Sequence, residues 1–313
     1  MADTTKDIKN TGLRGVTVAS TKICHVDGDA GKLIYRGYLI TDLAEKATYE
    51  EVVHLLLYEK LPNPEELKQF RKELAQNRAI SDDVIAALKT RPKTSLPMDI
   101  LQAAVPMLAN HDPNPDELKI ENAGRIATRL IAQFETIVAA WHRIRQDKEP
   151  VAPHPDLSHA GNFLYMMSGE KPDEDMTHFM DTCLVLHAEH SFNASTFSAR
   201  QVCSTHAHMY AAVAAAVGSL SGELHGGANA RVMQMLKEIG SIDAIDDYVR
   251  KKLDSGGKIM GLGHAVYKNG DPRAAILAPM SKRMGEKVND TKWYELFDAL
   301  EKKGKAVKKK KKG

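Results

Sequence analysis

Residues 208–229 read HMYAAVAAAVGSLSGELHGGAN, and this stretch decides the class of fold. Alanine is the strongest helix former, and alanine and glycine together let neighbouring backbones approach closely, so the run predicts a helix buried among other helices. The helix is expected to end at Gly222 and to deliver His225 to the start of the next one. Gly226 and Gly227 beside that histidine leave room for a ligand, and amides at a helix start can receive an anion. Taken alone, His225 reads as turn filler somewhat more than as a functional group.

Working outward, the pattern stays helical. Thr48-Tyr49-Glu50-Glu51 is a capping box, and Val52, Val53, Leu55, Leu56 and Leu57 supply an apolar face before Leu61-Pro62 stops it. Asn63 then caps a second helix, with Pro64 at its first position and Glu65 and Glu66 near the positive end of its dipole. Further helices are expected at about 80–90, 97–109, 121–146, 158–168, 173–190, 194–221, 228–239, 243–254, 271–287 and 291–303. Strand signals concentrate between Gly15 and Tyr38, where a small hairpin should turn around Asp27 to Gly31. The loop at 145–157 joins two helices, and tandem repeats are absent. The predicted fold class is all-α, mainly helical, with a small N-terminal β element.

Composition narrows the function. A chain of 313 residues with 43% apolar content can bury a large core, as a compact enzyme does. The net charge of +2 conceals an acidic body, because eight lysines at 302–313 leave the remainder at −6. A nucleic-acid protein would spread its basic residues over a face of the fold, so no nucleic-acid partner is expected and the lysine run reads as a solvated tail. The N-terminus has no signal-peptide core and no stretch approaches a membrane span, so a cytoplasmic protein without a membrane partner is expected. Cys24, Cys183 and Cys203 form neither an even set nor a CxxC pair, and read as reduced thiols packed as small hydrophobes.

Two further motifs carry chemistry. In GLGHAVYKNGDPRA (261–274), Gly261 and Gly263 flank the approach to His264, while Lys258 and Lys268 can meet phosphates. Val266 replaces the last glycine of a dinucleotide fingerprint, and no Walker GK[ST] is present. Arg273, after Asp271-Pro272, is a fork suited to a carboxylate, and equally to a salt bridge at a helix start. In HAEHSFNAST (187–196), His187 and His190 lie three apart on one expected helical side, but HExxH is missing and no further ligand completes a metal set. No metal is expected, and nothing marks a serine or cysteine as nucleophile. Histidines beside glycine turns, with an arginine and lysines, point to a phosphate-bearing ligand meeting a small carboxylate.

HAEHSFNASTFSAR, GELHGGAN and KIMGLGHAVYKNGDPRA, in this order and at these intervals, strongly resemble citrate synthase. The N-terminal GLRGVTVASTKICHVDGDAGKLIYRGYLITDL resembles the bacterial type, whose relatives include 2-methylcitrate synthases, and the resemblance runs from about residue 11 to the end. It implies a homodimer with a large domain at 1–220, a partial small domain at 221–313, and the active site in the cleft between them. It also implies condensation of acetyl-CoA with oxaloacetate to citrate and CoA, with acetyl-CoA as a substrate and no cofactor. By motif, His225 would stabilise the enolate of the thioester and His264 would polarise the oxaloacetate ketone. His190 and Arg273 would hold oxaloacetate, and Lys258, Gly261 and Gly263 would line the CoA site. The family's base is an aspartate in a Pro-Asn-Val-Asp-type motif that follows the stretch reading here LEKKGKAVKKKKKG, and neither Asp290 nor Asp298 lies in such a motif. The C-terminal helices that return to the large domain would follow there too. The alternatives are therefore a propionyl-CoA-using 2-methylcitrate synthase, or a chain that binds CoA and oxaloacetate without turnover.

Overall fold

The computed structural model describes residues 19–117, 119–223, 225–257, 259–261, 267 and 270–310. Among these, three short strands come first: β1 (Cys24–Asp27), β2 (Lys32–Tyr35) and β3 (Tyr38–Leu39). The helices that follow are α1 (Ile40–Lys46), α2 (Tyr49–Tyr58), α3 (Pro64–Gln76), α4 (Asp82–Lys89), α5 (Pro97–Ala109), α6 (Ile120–Ile144) and α7 (His159–Ser168). They continue with α8 (Glu174–His187), α9 (Ala194–Cys203), α10 (Met209–Leu220), α11 (Ala228–Ile239), α12 (Ile245–Asp254), α13 (Pro272–Lys287) and α14 (Lys292–Lys310). The class is all-α with a minor sheet, as the pattern predicts.

The sheet is an antiparallel β1-β2-β3 meander in which Cys24 faces Tyr35 and Asp27 faces Lys32. Asp27 Oδ1 closes the first turn by accepting from the amides of Asp29 and Ala30 at 3.1 and 2.8 Å. Arg36 and Gly37 make the second turn with positive φ at both positions, the geometry that matches strand twist in a two-residue hairpin. Alternation along β2 buries Leu33 and Tyr35 on one face, where they join Ile40, Leu43, Val52, Leu55, Val185 and Leu186 in a core closed by Ile276 and Leu277 of α13.

A second core is built around α10. Tyr210, Ala214 and Val217 pack with Ile100, Ala104, Val105 and Leu108 of α5 and with Leu130, Ile137 and Trp141 of the long α6. Small side chains on α10 permit this close packing, as the opening stretch predicts. Met235, Leu236, Ile239, Ile245, Val249, Leu296 and Leu300 form a third core among α11, α12 and α14.

The expected Thr48–Glu51 capping box forms, and the Asn63 cap proves to be a second box with Glu66 through reciprocal 2.9 Å bonds. Elsewhere helix ends depart from the periodicity. The expected helix 173–190 stops at His187, because Ser191 takes a left-handed φ of 61° and its amide is captured by the Glu189 carboxylate. His187 and His190 therefore do not share a helix face. The expected helix 194–221 is two helices, since His206 is left-handed and the His208 ring caps α10 by accepting from the Ala211 amide at 3.0 Å. Helix α14 runs to Lys310 rather than stopping near 303. Of the strand signal beginning at Gly15, residues 15–18 lie outside the described residues, and 19–22 are not strand. Of the three thiols, Cys24 is buried and Cys183 half-buried, whereas Cys203 is exposed rather than packed.

Beneath α2, α6 and α7 lies a buried ionic network. Arg78, fully buried, donates to the carbonyls of His154 and Leu157 at 2.8 and 2.9 Å, and its Nε lies 3.1 Å from Glu135 Oε1. That pair is close but not aligned as a hydrogen bond; Glu135 Oε1 instead accepts from Asn162 at 2.8 Å. Glu50 Oε1 accepts from the His159 amide at 3.0 Å, at the start of α7. Burial outweighs the pull of Arg78 and pushes Glu135 up to about 8, and it pushes Asp181, which accepts from the Tyr49 amide, up to about 7. Burial also drives His159 down to about 3, so its 3.7 Å approach to Glu135 is a contact of a neutral ring.

A carboxyl whose folded pKa is raised contributes stability that is complete below its unfolded value and lost as pH rises through the folded one. Glu135 and Asp181 together should therefore lower the melting temperature by on the order of a few °C between pH 6.5 and 9. Glu135→Gln should flatten that descent, whatever it does to the absolute value, and scanning calorimetry across the range checks it. An unchanged slope would mean that Glu135 is already ionised at pH 6.5.

Candidate active site

The site is organised by the unwound junction between α8 and α9. Tyr35, fully buried on β2, donates its phenol to the Leu186 carbonyl at 3.3 Å and accepts from the Glu189 amide at 3.2 Å. Those two bonds satisfy backbone groups that the end of α8 would otherwise leave open. Glu189 then holds the Ser191 amide, and Asn193 restarts the helix by accepting from the Thr196 amide at 2.8 Å. Burial raises the Glu189 carboxyl above its usual range, and burial beside this carboxylate pushes the Cys24 thiol up to about 12. Cys24 is thus an inert packing group in the wall of the junction.

His225 meets this junction from the opposite side. Its Nε2 lies 2.8 Å from Ser195 Oγ and 3.2 Å from the Ser195 amide nitrogen, near the start of α9. A backbone N–H can only donate, so Nε2 is an acceptor and the ring proton of the neutral form sits on Nδ1. Burial lowers the pKa of His225 below its ordinary value, which favours that neutral form. The arrangement supplies a neutral Nδ1–H donor beside a glycine turn. Gly226 is required there: a Cβ at that position would lie 2.6 Å from the Leu220 carbonyl oxygen, a backbone atom that cannot step aside alone.

His190 and Arg273 sit around the same junction. His190 Nε2 lies 3.2 Å from the phenol of Tyr267. Arg273 begins α13 and forks onto Asp271, with Nε at 2.9 Å from Oδ1 and Nη2 at 2.6 Å from Oδ2. Asp271 is also the N-cap of α13, accepting from the Arg273 amide at 3.0 Å, so Arg273 makes a salt bridge at a helix start. The pair is largely buried, and nearby Tyr35 and Tyr267 place its charge beside Cys24 and the α8–α9 junction. Gly261 has φ 78°, a left-handed backbone that favours glycine, and a Cβ there would sit 3.2 Å from Phe297 and 3.3 Å from Val232. His264, Lys258, Gly263 and Lys268 lie outside the described residues.

Sequence reasoning singled out the histidines but not the groups that hydrogen-bond to them or shape the junction. Ser195, Tyr35, Glu189 and Tyr267 all lie in or beside the quoted motifs, yet nothing in their spacing shows which hydrogen bonds they make. Ser195 in particular stands two residues after an N-capping asparagine, the one local signal that its amide would be exposed at a helix start.

Comparison with known proteins fits this arrangement. The family profile "Citrate synthase, C-terminal domain" matches residues 12–313. A citrate synthase of Deinococcus radiodurans is 44% identical over 291 residues, covering 93% of this chain and 77% of that protein. A 2-methylcitrate synthase of Mycobacterium tuberculosis is 38% identical, covering 95% of this chain and 75% of its own length. The structure of a Thermoplasma acidophilum citrate synthase in ternary complex with carboxymethyl coenzyme A and oxaloacetate superposes with a TM-score of 0.89 at 30% identity, covering 94% of this chain and 77% of that one. The chain belongs to the citrate synthase family. Its chemical class is acyl transfer by citrate synthase-type condensation.

Gly226→Ala should displace the turn that carries His225. It is expected to cost about 1–3 kcal/mol of stability through overpacking, and to lower kcat by more than the stability loss explains. Thermal melts and initial rates on the same preparation check it, and an alanine variant with unaltered kcat would show that the turn is not tied to the chemistry.

Proposed function

We propose that the chain condenses acetyl-CoA with oxaloacetate to give citrate and CoA. The observation that carries this reading is the Ser195 amide on His225 Nε2, because it commits the neutral ring to donating from Nδ1. A thioester methyl is a weak carbon acid: its proton passes to a carboxylate base, the role that the family resemblance gives to an aspartate in a Pro-Asn-Val-Asp-type motif, and its loss is eased by a donor aimed at the carbonyl oxygen where charge develops. His225 is that donor. The enolate carbon then attacks the oxaloacetate ketone, whose oxygen takes a proton as the carbon–carbon bond forms, and water cleaves the resulting citryl thioester to release CoA. His264 polarises the ketone, while His190 and Arg273 hold the oxaloacetate carboxylates. For Arg273 this means sharing or exchanging its Asp271 partner with substrate. Lys258, Gly261 and Gly263 line the CoA side.

The separate apolar core of α11, α12 and α14 supports a division into a large domain at 1–220 and a small one at 221–313, with the substrates between them. We place the enzyme in the cytoplasm as a homodimer. Among the described residues no helix is long and apolar enough to cross a membrane, which is consistent with that placement.

Purified chain given acetyl-CoA should release free thiol in an oxaloacetate-dependent manner. His225→Ala should reduce the rate by about 10²–10³, the usual effect of losing one such donor. Propionyl-CoA in the same assay distinguishes 2-methylcitrate synthesis, since one methylene is worth about 1–3 kcal/mol in an apolar pocket. Retained calorimetric binding of CoA with no thiol release from either thioester would overturn the catalytic reading and leave a chain that binds without turnover.

A further inference from the structure

Helix α13 carries Arg273 in its first turn, yet its side chains are lightly held. It contributes no residue to the core of α11, α12 and α14, and only Ile276 and Leu277 pack, half-buried, against the core of the hairpin, α1, α2 and α8. None of its 16 residues is fully buried. The chain turns out of it at both ends through left-handed backbone, at Gly270 with φ 113° and at Asn289 with φ 54°. Two half-buried aliphatic side chains choose which face of α13 lies down, but they recover only part of what full burial would contribute to keeping it there.

The far end of the helix is held by charge. Arg283 Nη2 pairs with Asp175 Oδ1, and Lys287 Nζ lies 2.8 Å from Asp173 Oδ1 and 3.1 Å from Asp175 Oδ2. The two acids open α8: Asp173 is its N-cap, accepting from the Met176 amide at 2.9 Å, and Asp175 stands in its first turn. The two bases close α13, with Lys287 in its last turn. Acids at a helix start and bases at a helix end each suit the local dipole, so the four charges are favourably placed before they meet. Isolated surface pairs contribute little, whereas several charges sharing contacts can act as a unit.

At the opposite end of the same helix, the Arg273 charge acts on Cys24 and Tyr35, in the wall of the α8–α9 junction. Arg283 follows Arg273 by about 15 Å of helix, a stiff rod over that length, so fixing one end fixes where the other can lie. We infer that Asp173, Asp175, Arg283 and Lys287 form an ionic latch that docks α13 on α8 and so positions Arg273 at the junction for oxaloacetate. The inference rests on the reading of Arg273 as an oxaloacetate ligand. The four latch groups are positioning residues: without them α13 spends part of its time undocked, and the apparent dissociation constant rises as the docked fraction falls.

Calorimetric titration of the full chain with oxaloacetate tests the inference. Asp173→Asn with Asp175→Asn removes the acids while asparagine preserves the cap, and Arg283→Gln with Lys287→Gln removes the bases. Each pair of substitutions should weaken oxaloacetate about two- to fivefold at low salt. The ratio to the wild type should shrink toward one at about 1 M salt, where the screening length is about 3 Å. The acid pair separates a latch from a simple change of net charge. Oxaloacetate is an anion, so removing two carboxylates would tighten its binding through the long-range field, whereas loss of the latch weakens it. Tighter or unchanged binding in the acid pair would overturn the inference, and so would a loss indifferent to salt, which is the mark of altered packing. Combining all four substitutions should weaken oxaloacetate no more than either pair does, because one latch can be lost only once; losses that multiply would count against it. Arg273→Gln separates the two levels of the argument. If it weakens oxaloacetate while the latch variants do not, the latch alone falls; if it leaves affinity unchanged, the placement of Arg273 at the substrate falls and takes the inference with it. The four latch side chains are between 34% and 61% exposed, so the variants should melt close to the wild type. Should a pair misfold, Asp175→Asn alone breaks contacts to both bases and carries the same prediction of sign.

Discussion

The phenol of Tyr35, bridging the Leu186 carbonyl and the Glu189 amide, holds the α8–α9 junction around which the candidate site histidines gather. An α-helix that ends inside a protein leaves carbonyls and amides without partners, and a buried orphan costs about as much as a lost hydrogen bond. Tyr35 answers that demand from a strand about 150 residues away in sequence, so the hairpin, α8 and α9 are locked into one unit. Glu189 and the left-handed Ser191 complete the turn, and Asn193 starts α9 on the far side. The junction places His190 off the helix, and it opens the first amides of α9 to His225.

With the junction fixed, the histidines acquire chemistry through their second nitrogens. His225 has Nε2 held by an amide that can only donate, and His190 has Nε2 held by a phenol. At His225 the amide behind the ring leaves Nδ1 to carry the proton of the neutral form. A neutral donor held in place in this way is the kind of preorganised group that the proposed reaction calls for. Glycine-rich turns are the packing counterpart, as the contact between the Gly226 Cβ position and the Leu220 carbonyl shows.

Away from the site, the ionic network of Arg78, Glu135, Glu50 and Asp181 represents a different compromise. More carboxyls than cations are buried there, so burial raises the acids and holds His159 neutral. Such a network adds little net stability over an apolar core, but removing one partner is expensive because the others are left unpaired. It ties α2, α6 and α7 together with the loop at 154–157, and so fixes the frame on which α8 is laid.

The sequence by itself determined the helical class, the buried α10, the Thr48 capping box, the Asn63 cap, the first hairpin turn and the glycine-flanked placement of His225. Each of these is written in local propensity or short-range pairing, where one or two turns of chain contain all the interacting groups. Tertiary structure alone decided where α8 stops and that the stretch after Asn193 is two helices, because the periodic pattern continues across both breaks. The terminations depend on Tyr35 from a distant strand, and on a carboxylate and an imidazole serving as backbone partners. It also brought Ser195 to His225 and Tyr267 to His190, and turned Arg273 toward Asp271. Hydrogen-bond direction at a histidine is a property of the atoms that surround the ring in space, and residues 30 and 77 positions away in the chain supply them.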